Sequence, residues 1–511
     1  MLLCTLGLAT ADQQQAWLQP SALQSSQVTT EKLDATQRHR LVMERMQPTI
    51  VASPINMLGN GTPSANSTLE VHAAVTGSVF GGDKIHQYDG KLEFADWRPS
   101  AVPAAAPAAG DQKCNKWAVL TTIFEPSEAA LQVTALPGWC FVVVADLQSP
   151  EEYPTGSNES GKVVYLTPDM QRTLAASETQ LKGVELPQIL PWKSFSRKNI
   201  GYLYAIAQGA QLVYDFDDDN VLVDAAYRPS AAFGTQGLPT LDEASTSVLE
   251  VDSSAPAVNL YPAMGGGEAW PRGFPIDNIT EPAAFLASGQ GSGNWLVENT
   301  TATRIGVLQS MVDGDPDVDA MYRLTRRELR FNFSDVLKST LNRKAAAPVV
   351  ALRRGTLMPF NAQATIHARD ALWLALLPHS VHGRVADIWR SYISQVLMWQ
   401  VGLRAAFALP WVHQERTTHD YLADFDAEQP LYSQASALVR VLRGWKPKTT
   451  SAPAQMEELY VELFERGFIG SNDVSLAQTW LRDLTRVGYR FPPTEAEHVA
   501  AATGRKPLSR V

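Results

Sequence analysis

Residues 212–220 read Leu-Val-Tyr-Asp-Phe-Asp-Asp-Asp-Asn, an apolar β-rich run that passes directly into four carboxylates within five residues. This stretch constrains the fold more than any other. The apolar part must be buried, whereas Asp215, Asp217, Asp218 and Asp219 cannot be buried together without compensating charge. The run ends a strand, so the carboxylates gather at its carboxyl end. The pattern before it agrees. Residues 117–124 and 139–145 are continuous apolar runs, and 163–166 is a third. Between them, Pro126-Ser127-Glu128 opens a short helix that Pro137-Gly138 closes, and Ser196 begins a helix that Gly209 stops. Apolar strands alternating with helices predict an α/β fold with a mainly parallel sheet. Such sheets bind ligands at the carboxyl ends of their strands.

The rest of the chain divides around this core. Residues 1–112 read as a stem that closes with the Pro/Ala-rich run 98–110, whose composition cannot bury a core. Residues 113–420 form the α/β domain, with 225–300, rich in Gly, Pro, Ser and Ala, read as a loop-rich insertion. A long amphipathic helix is predicted over 384–402, with Val385, Ile388, Trp389, Tyr392, Val396 and Trp399 on its buried face. Arg384, Asp387, Ser391 and Ser394 form its polar stripe. Residues 421–511 read as a helical C-terminal region.

Composition excludes several classes. The chain has 511 residues and a formal charge of −10, which argues against a nucleic-acid groove built on clustered Lys and Arg. Three cysteines exclude a Cys-rich zinc module or a disulfide-dense mini-domain. Cys114 and Cys140 flank the first two strands, so their thiols are expected within bridging reach if those strands pair in parallel. No segment reaches the ~18 apolar residues that a membrane-spanning helix needs. The opening residues 1–11 carry a short apolar run and an Ala-Thr-Ala pattern like a signal-peptidase site. Six N-x-[ST] sequons, at Asn60, Asn66, Asn158, Asn278, Asn299 and Asn332, point with it to the secretory lumen.

The acidic run admits three chemistries besides a solvated turn. Hard carboxylate oxygens suit Mg²⁺ or Mn²⁺. An EF-hand starting at Asp215 is excluded, because Asn220 and Ala226 stand where Gly and Glu are needed. A haloacid-dehalogenase-type phosphatase would use Asp215 as nucleophile and Asp217 as acid/base. Its motif usually opens the domain, whereas here about a hundred residues of α/β pattern precede it. A glycosyltransferase of GT-A type places a D-x-D run at this point, holding a metal under a sugar-nucleotide diphosphate.

Longer stretches carry a family resemblance. KWAVLTTIF (116–124), LPGWCFVVVAD (136–146), PWKSFSRKNIGYLYAI (191–206), LVYDFDDDN (212–220), RGFPID (272–277) and DGDPDVDAMYRLTR (313–326) lie in order along the chain. MPFNAQATIHARDALW (358–373), HGRVADIWRSYI (382–393), YLADFDAEQ (421–429) and ELFERGFI (462–469) follow. From Lys116 to about Pro492 the chain resembles the STELLO family of Golgi glycosyltransferase-like proteins.

The resemblance implies a GT-A-like fold, a UDP-sugar donor, Mn²⁺ or Mg²⁺, a glycan or glycoprotein acceptor, and Golgi glycosyltransferase partners. Plant members are linked to cellulose synthase assembly. It departs from those members in lacking an obvious membrane anchor before the stem and in ending soon after 490–492. The expected localisation is the Golgi lumen or secretory pathway, with a membrane anchor only in a longer, full-length form. Asp217 and Asp219 are then the metal ligands, beside Asp215. Thr121 and Thr122 are expected to face uracil and ribose, and Asp146 to accept hydrogen bonds from ribose or base. Arg197, Lys198 and Asn199, at a helix N-terminus, are expected to favour diphosphate. Asp387 is the expected base of an inverting reaction, and His382 is expected to complete the metal shell or touch phosphate. Asn361 and Gln363 are read as hydrogen-bonding to sugar hydroxyls, and Asp424 and Asp426 as structural or acceptor-side loop residues. A non-catalytic Golgi scaffold that retains the fold is the alternative function.

Overall fold

The computed structural model describes residues 83–98, 114–153, 163–223, 238, 241, 248–253, 255–281, 284, 296–299, 303–326, 330–334, 349–415 and 420–503. β1 (Lys116–Thr122), β2 (Cys140–Ala145), β3 (Val163–Leu166) and β4 (Leu212–Asp215) pair in parallel in the order β3-β2-β1-β4. Between them lie α1 (Glu128–Thr134), α2 (Pro168–Thr173), α3 (Leu186–Ile189) and α4 (Lys198–Ala207). The apolar runs are continuous because both faces of this sheet are covered. Trp117, Val119, Cys140, Val142 and Val144 face one core, and Ala118, Leu120, Phe141 and Val143 face the other. Ser127 caps α1 through the Ala130 amide, and α4 stops before Gly209, whose φ is +85°.

Beyond β4 the sheet becomes mixed. The following elements are β5 (Asn220–Leu222), β6 (Val248–Asp252), β7 (Leu296–Asn299), β8 (Ile305–Gly314), α5 (Ala320–Thr325), β9 (Val349–Leu352) and β10 (Thr365–Ala368). Then come α6 (Gly383–Gln400), β11 (Arg404–Gln414), α7 (Tyr421–Ala427), α8 (Gln429–Gly444), α9 (Ala452–Glu465), α10 (Ser471–Arg486) and α11 (Glu495–Thr503). The sheet continues from β4 as β10-β8-β11-β9-β6-β7, with β5 on β11. β10 runs antiparallel to both β4 and β8. The result is a mixed α/β fold with a parallel N-terminal half and C-terminal helices, consistent with a GT-A-like glycosyltransferase domain. No described helix is long and apolar enough to cross a membrane.

Three sequence expectations change. The 225–300 stretch is not a peripheral insertion: it contributes β6 to the sheet and buries Val258, Leu260, Trp270 and Phe274. The polar stripe of α6 is not solvated, because Asp387, Arg390, Ser391, Ser394 and Gln395 are all buried. The helix lies inside the molecule, with the sheet on one side and C-terminal helices on the other. Asp424 and Asp426 lie on helix α7, not in a loop.

The C-terminal helices are knitted into the same core. Asp473 accepts the His379 amide at 2.7 Å, Asp483 accepts the Glu185 and Leu186 amides, and Trp480 Nε1 donates to Trp373 O at 2.8 Å. Residues 83–98, read as part of the stem, form a strap on these helices. Buried Glu457 on α9 accepts the Glu93 and Phe94 amides at 2.7 and 2.8 Å and the Gln478 amide at 2.7 Å. Ile85 and His86 donate to Glu465 O, and Trp97 meets Phe491 edge-on.

Glu457→Ala leaves two strap amides unpaired, at about 1–3 kcal/mol each. The variant should unfold at lower temperature, with trypsin cutting first at Lys84 or Lys91. Wild-type melting and wild-type cleavage kinetics would show that Glu457 does not hold the strap.

Candidate active site

Asp215, at the end of β4, is fully buried and serves as an electrostatic hub. Lys198 Nζ lies 2.7 Å from Oδ1, Arg390 Nη1 lies 2.9 Å from Oδ2, and His367 Nε2 on β10 lies 3.8 Å away. Burial opposes its charge, but Lys198 and Arg390 outweigh it and hold the carboxyl far below the usual carboxylate range. Burial lowers the His367 pKa, against the pull of the neighbouring Asp215 carboxylate. A carboxylate enclosed by two cations has no access to a phosphoryl group. The geometry therefore speaks against Asp215 as a phosphatase nucleophile, and equally against direct contact of Asp215 with a donor.

The turn beyond it faces outward. Asp217 keeps 37% of its side chain exposed, with Oδ1 3.1 Å from Lys198 Nζ. Desolvation raises its carboxyl to about 7 against the Lys198 charge, and Asp219 and Asp215 add to the rise. Asp218 accepts a hydrogen bond from Thr122 Oγ1. Asp219 Oδ2 accepts Gln414 Nε2 at 2.6 Å and Oδ1 accepts Asn220 Nδ2 at 3.1 Å. Asn220 Oδ1 in turn accepts the Asp217 amide. Three acids therefore share a short turn with one lysine already committed to Asp215.

Hard oxygen donors and surplus negative charge fit a divalent cation. No group of three or more His, Cys, Asp or Glu side chains arranged to hold a metal occurs among the described residues. The turn thus suits a cation carried on one or two carboxylates and completed by phosphate oxygens and water, not an all-protein cage.

The flanking residues divide into those at the turn and those that support it. Thr122 is at the turn, bonded to Asp218. Thr121 donates to Val144 O at 3.0 Å, across to β2. Asp146 accepts the Lys193 and Ser194 amides at 2.9 and 3.2 Å and holds Lys193 at φ 54°. Its oxygens serve backbone, not the ribose or base expected of them. Lys198 is fully buried between Asp215 and Asp217 and also donates to Phe216 O and Ala362 O. Arg197 points away from the turn. It donates to Gln171 Oε1 and Leu190 O and stacks on Trp192 at 3.4 Å, and burial lowers its pKa to about 10. Asn199 is closed in a two-way bond with the Leu377 backbone, both at 2.8 Å. Neither Arg197 nor Asn199 is available to diphosphate, because α4 turns these side chains into the core.

Asp387 is held in a clasp. Arg272 grips it at 3.2 and 2.9 Å, and the Ala362 and Ile388 amides donate to it at 3.2 and 3.0 Å. Arg272 bonds at the same time to Asp317 Oδ2 at 2.7 Å. These bonds occupy both carboxylate oxygens of Asp387, so in this arrangement it braces Arg272 and the Ala362 backbone. Gly273 has φ +78°, and a Cβ there would lie 2.3 Å from Ile388 Cγ2, so glycine is what lets the Arg272 turn seat on α6. His382 caps α6 by accepting the Arg384 amide at 3.2 Å. Burial and the charges of Arg384 and Arg272 lower its pKa. It belongs to the Arg272–Arg384–Glu428 cluster.

A small cleft of about 20 Å³ opens here, lined by Arg272, Gln309, Asp317, Phe360 and Asn361 among others. Asn361 Nδ2 donates to Asp317 Oδ2 at 3.0 Å and to Gln363 Oε1 at 3.2 Å. Arg272, Asp317, Arg390 and Gln414 were not singled out from sequence. Their only local signal was membership of the quoted stretches around 272 and 317 and of the long helix.

Asp319, beside this cleft, caps α5 through the Tyr322 amide and accepts Trp270 Nε1, both at 2.7 Å. Burial and the Glu428 charge push its carboxyl up from 3.8 to about 7. A raised folded pKa means stability that is full below the unfolded value and lost as pH climbs toward 7. Between pH 5 and pH 8 this loss should be on the order of 2 kcal/mol. In Asp319→Asn, urea unfolding should show that much less decline over the same interval. An unchanged decline would assign the pH dependence elsewhere.

Residues 384–502 match the model of the family described as STELLO glycosyltransferases. The chain is similar to "Probable glycosyltransferase STELLO1" of Arabidopsis thaliana, 26% identical over 391 residues, which cover 76% of this chain and 47% of that protein. It is also similar to "Probable glycosyltransferase STELLO2" of the same plant, 26% identical over 386 residues, covering 74% and 46%. The chain spans about half the length of the curated relatives it matches. With the α/β architecture and the acidic turn at the end of β4, these matches make the chain similar to STELLO glycosyltransferases, at low identity.

Proposed function

We propose that the chain is a metal-dependent glycosyltransferase of the secretory pathway that transfers a sugar from a nucleotide diphosphate-sugar, UDP-sugar favoured, to a glycan or glycoprotein. The observation that carries this reading is the partly exposed Asp217–Asp219 turn at the carboxyl end of a parallel strand, where three carboxylates lie together beside Lys198. Asp217 and Asp219 would hold Mn²⁺ or Mg²⁺, which when bound neutralises the leaving diphosphate. Lys198 keeps the turn assembled, and Thr122 fixes Asp218. In this reading the acceptor would approach beside Arg272 and Asp317. An inverting course with Asp387 as base requires the Arg272 clasp to open first.

That clasp is also the observation favouring the second reading, a scaffold that binds donor without turnover and organises Golgi glycosyltransferase partners. Isothermal titration of UDP-sugars with and without Mn²⁺ tests the main proposal. Affinity should rise at least tenfold with the metal and fall as far in Asp217→Ala. Metal-independent binding, or none, would remove it. Tight metal-dependent binding with no UDP release over an acceptor panel would favour the scaffold.

The proposed secretory location draws support from the Cys114–Cys140 disulfide, whose Cα atoms are 5.7 Å apart. Among the sequons, Asn332 is exposed and Asn278 is buried. Asn299 ends β7, while Asn60, Asn66 and Asn158 lie outside the described residues. Protein made in a eukaryotic secretory host should gain mass on alkylation at Cys114 and Cys140 only after reduction. Labelling of both thiols without reductant would refute the lumenal reading.

A further inference from the structure

The hydrogen bond on Asp219 begins a longer series. Gln414 Nε2 donates to Asp219 Oδ2 at 2.6 Å, and Gln363 Nε2 donates to Gln414 Oε1 at 2.7 Å. Asn361 Nδ2 donates to Gln363 Oε1 at 3.2 Å and to Asp317 Oδ2 at 3.0 Å. Asp317 and Asp387 then share Arg272. Gln414 and Gln363 are only 3% and 4% exposed, at the end of an otherwise apolar strand and in the loop before β10. Two buried amides are costly unless each hydrogen bond is made. Leucine would fill the same space without that demand.

The direction of the series is informative. From Asn361 onward one N–H of each amide points toward Asp219, so the amides polarise one another and present a donor to its carboxylate. They do so without adding positive charge. A lysine or arginine at either position would compete with a cation for the turn, and an acid would repel the carboxylate it should hold.

We propose that Gln414 and Gln363 are positioning residues for the acidic turn. They hold Asp219 from behind, so that it is presented with Asp217 to a divalent cation. They also tie that presentation to the Asn361–Asp317–Arg272 side of the cleft, 195 residues of sequence separating Asp219 from Gln414. The inference rests on the metal-dependent reading above and names the residues that tune its site.

The test is Mn²⁺ affinity, read from the electron paramagnetic resonance signal of free Mn²⁺ in the presence of UDP, alongside thermal melting. Outer partners of metal ligands typically change affinity 10–100-fold when removed. Gln414→Leu should weaken Mn²⁺ binding by about tenfold or more. Gln363→Leu, one bond further away, should weaken it by a smaller factor and serves alone if Gln414→Leu does not fold. Folded variants with wild-type Mn²⁺ affinity, whatever their melting temperature, would reduce both glutamines to packing and overturn the inference while leaving the functional reading intact. Wild-type protein that binds no Mn²⁺ with UDP would overturn that reading, and this inference with it.

Discussion

The buried triad of Lys198, Asp215 and Arg390 is the constraint on which the rest of the site depends. It joins the end of β4 to the start of α4 and the middle of α6 through contacts of 2.7 and 2.9 Å. Removing three charges from water costs several kcal/mol per ion, and their mutual attraction repays it only when geometry and extra hydrogen bonds are in place. Those extra bonds are present. Arg390 also donates to Tyr202 and Asn361 O, and Lys198 to Phe216 O and Ala362 O. The triad therefore does more than bind three elements together. It sets where the carboxylates after Asp215 can point.

From this hub the site divides into two sides of different electrostatic character. At the Asp217–Asp219 turn, the described residues set three carboxylates beside Lys198, and Asp217 is partly exposed. At the Arg272 side, charges are matched in buried pairs: Arg272 between Asp317 and Asp387, and Arg384 with Asp424 at 3.3 Å and with Glu428. The first side suits a ligand that brings a cation and phosphate. The second is a wall of matched ion pairs, in which Asn361 Oδ1 and His382 Nε2 are buried without a hydrogen-bond partner among the described residues. The amide series between Asp219 and Asn361 joins the two without moving charge from one to the other.

The α/β character was legible because strand burial on both faces leaves an uninterrupted apolar run, as at 117–122 and 140–145. The acidic turn was legible because its four carboxylates are contiguous. The Cys114–Cys140 pairing followed from the two strands being neighbours. Other residues misled for equally physical reasons. Asp387 and Ser391 fall on a polar helical stripe, which normally faces water, but α6 is enclosed on all sides and the stripe became an internal network. Arg197 and Asn199 sit where an anion site would form, yet their side chains are spent on Gln171 and on the Leu377 backbone.

By itself the sequence determined the local matters: which segments are strands and helices, where the charge is concentrated, and that the concentrated charge ends a buried strand. Pattern and composition act over a few neighbouring residues, and these features need no more than that. Tertiary structure alone decided which acids are free to meet a ligand. Asp215 is neutralised by Arg390, 175 residues away, and Asp387 by Arg272, 115 residues away. Whether a carboxylate is a ligand, a base or a brace depends on the cation brought beside it. At these separations only the folded chain specifies that neighbour.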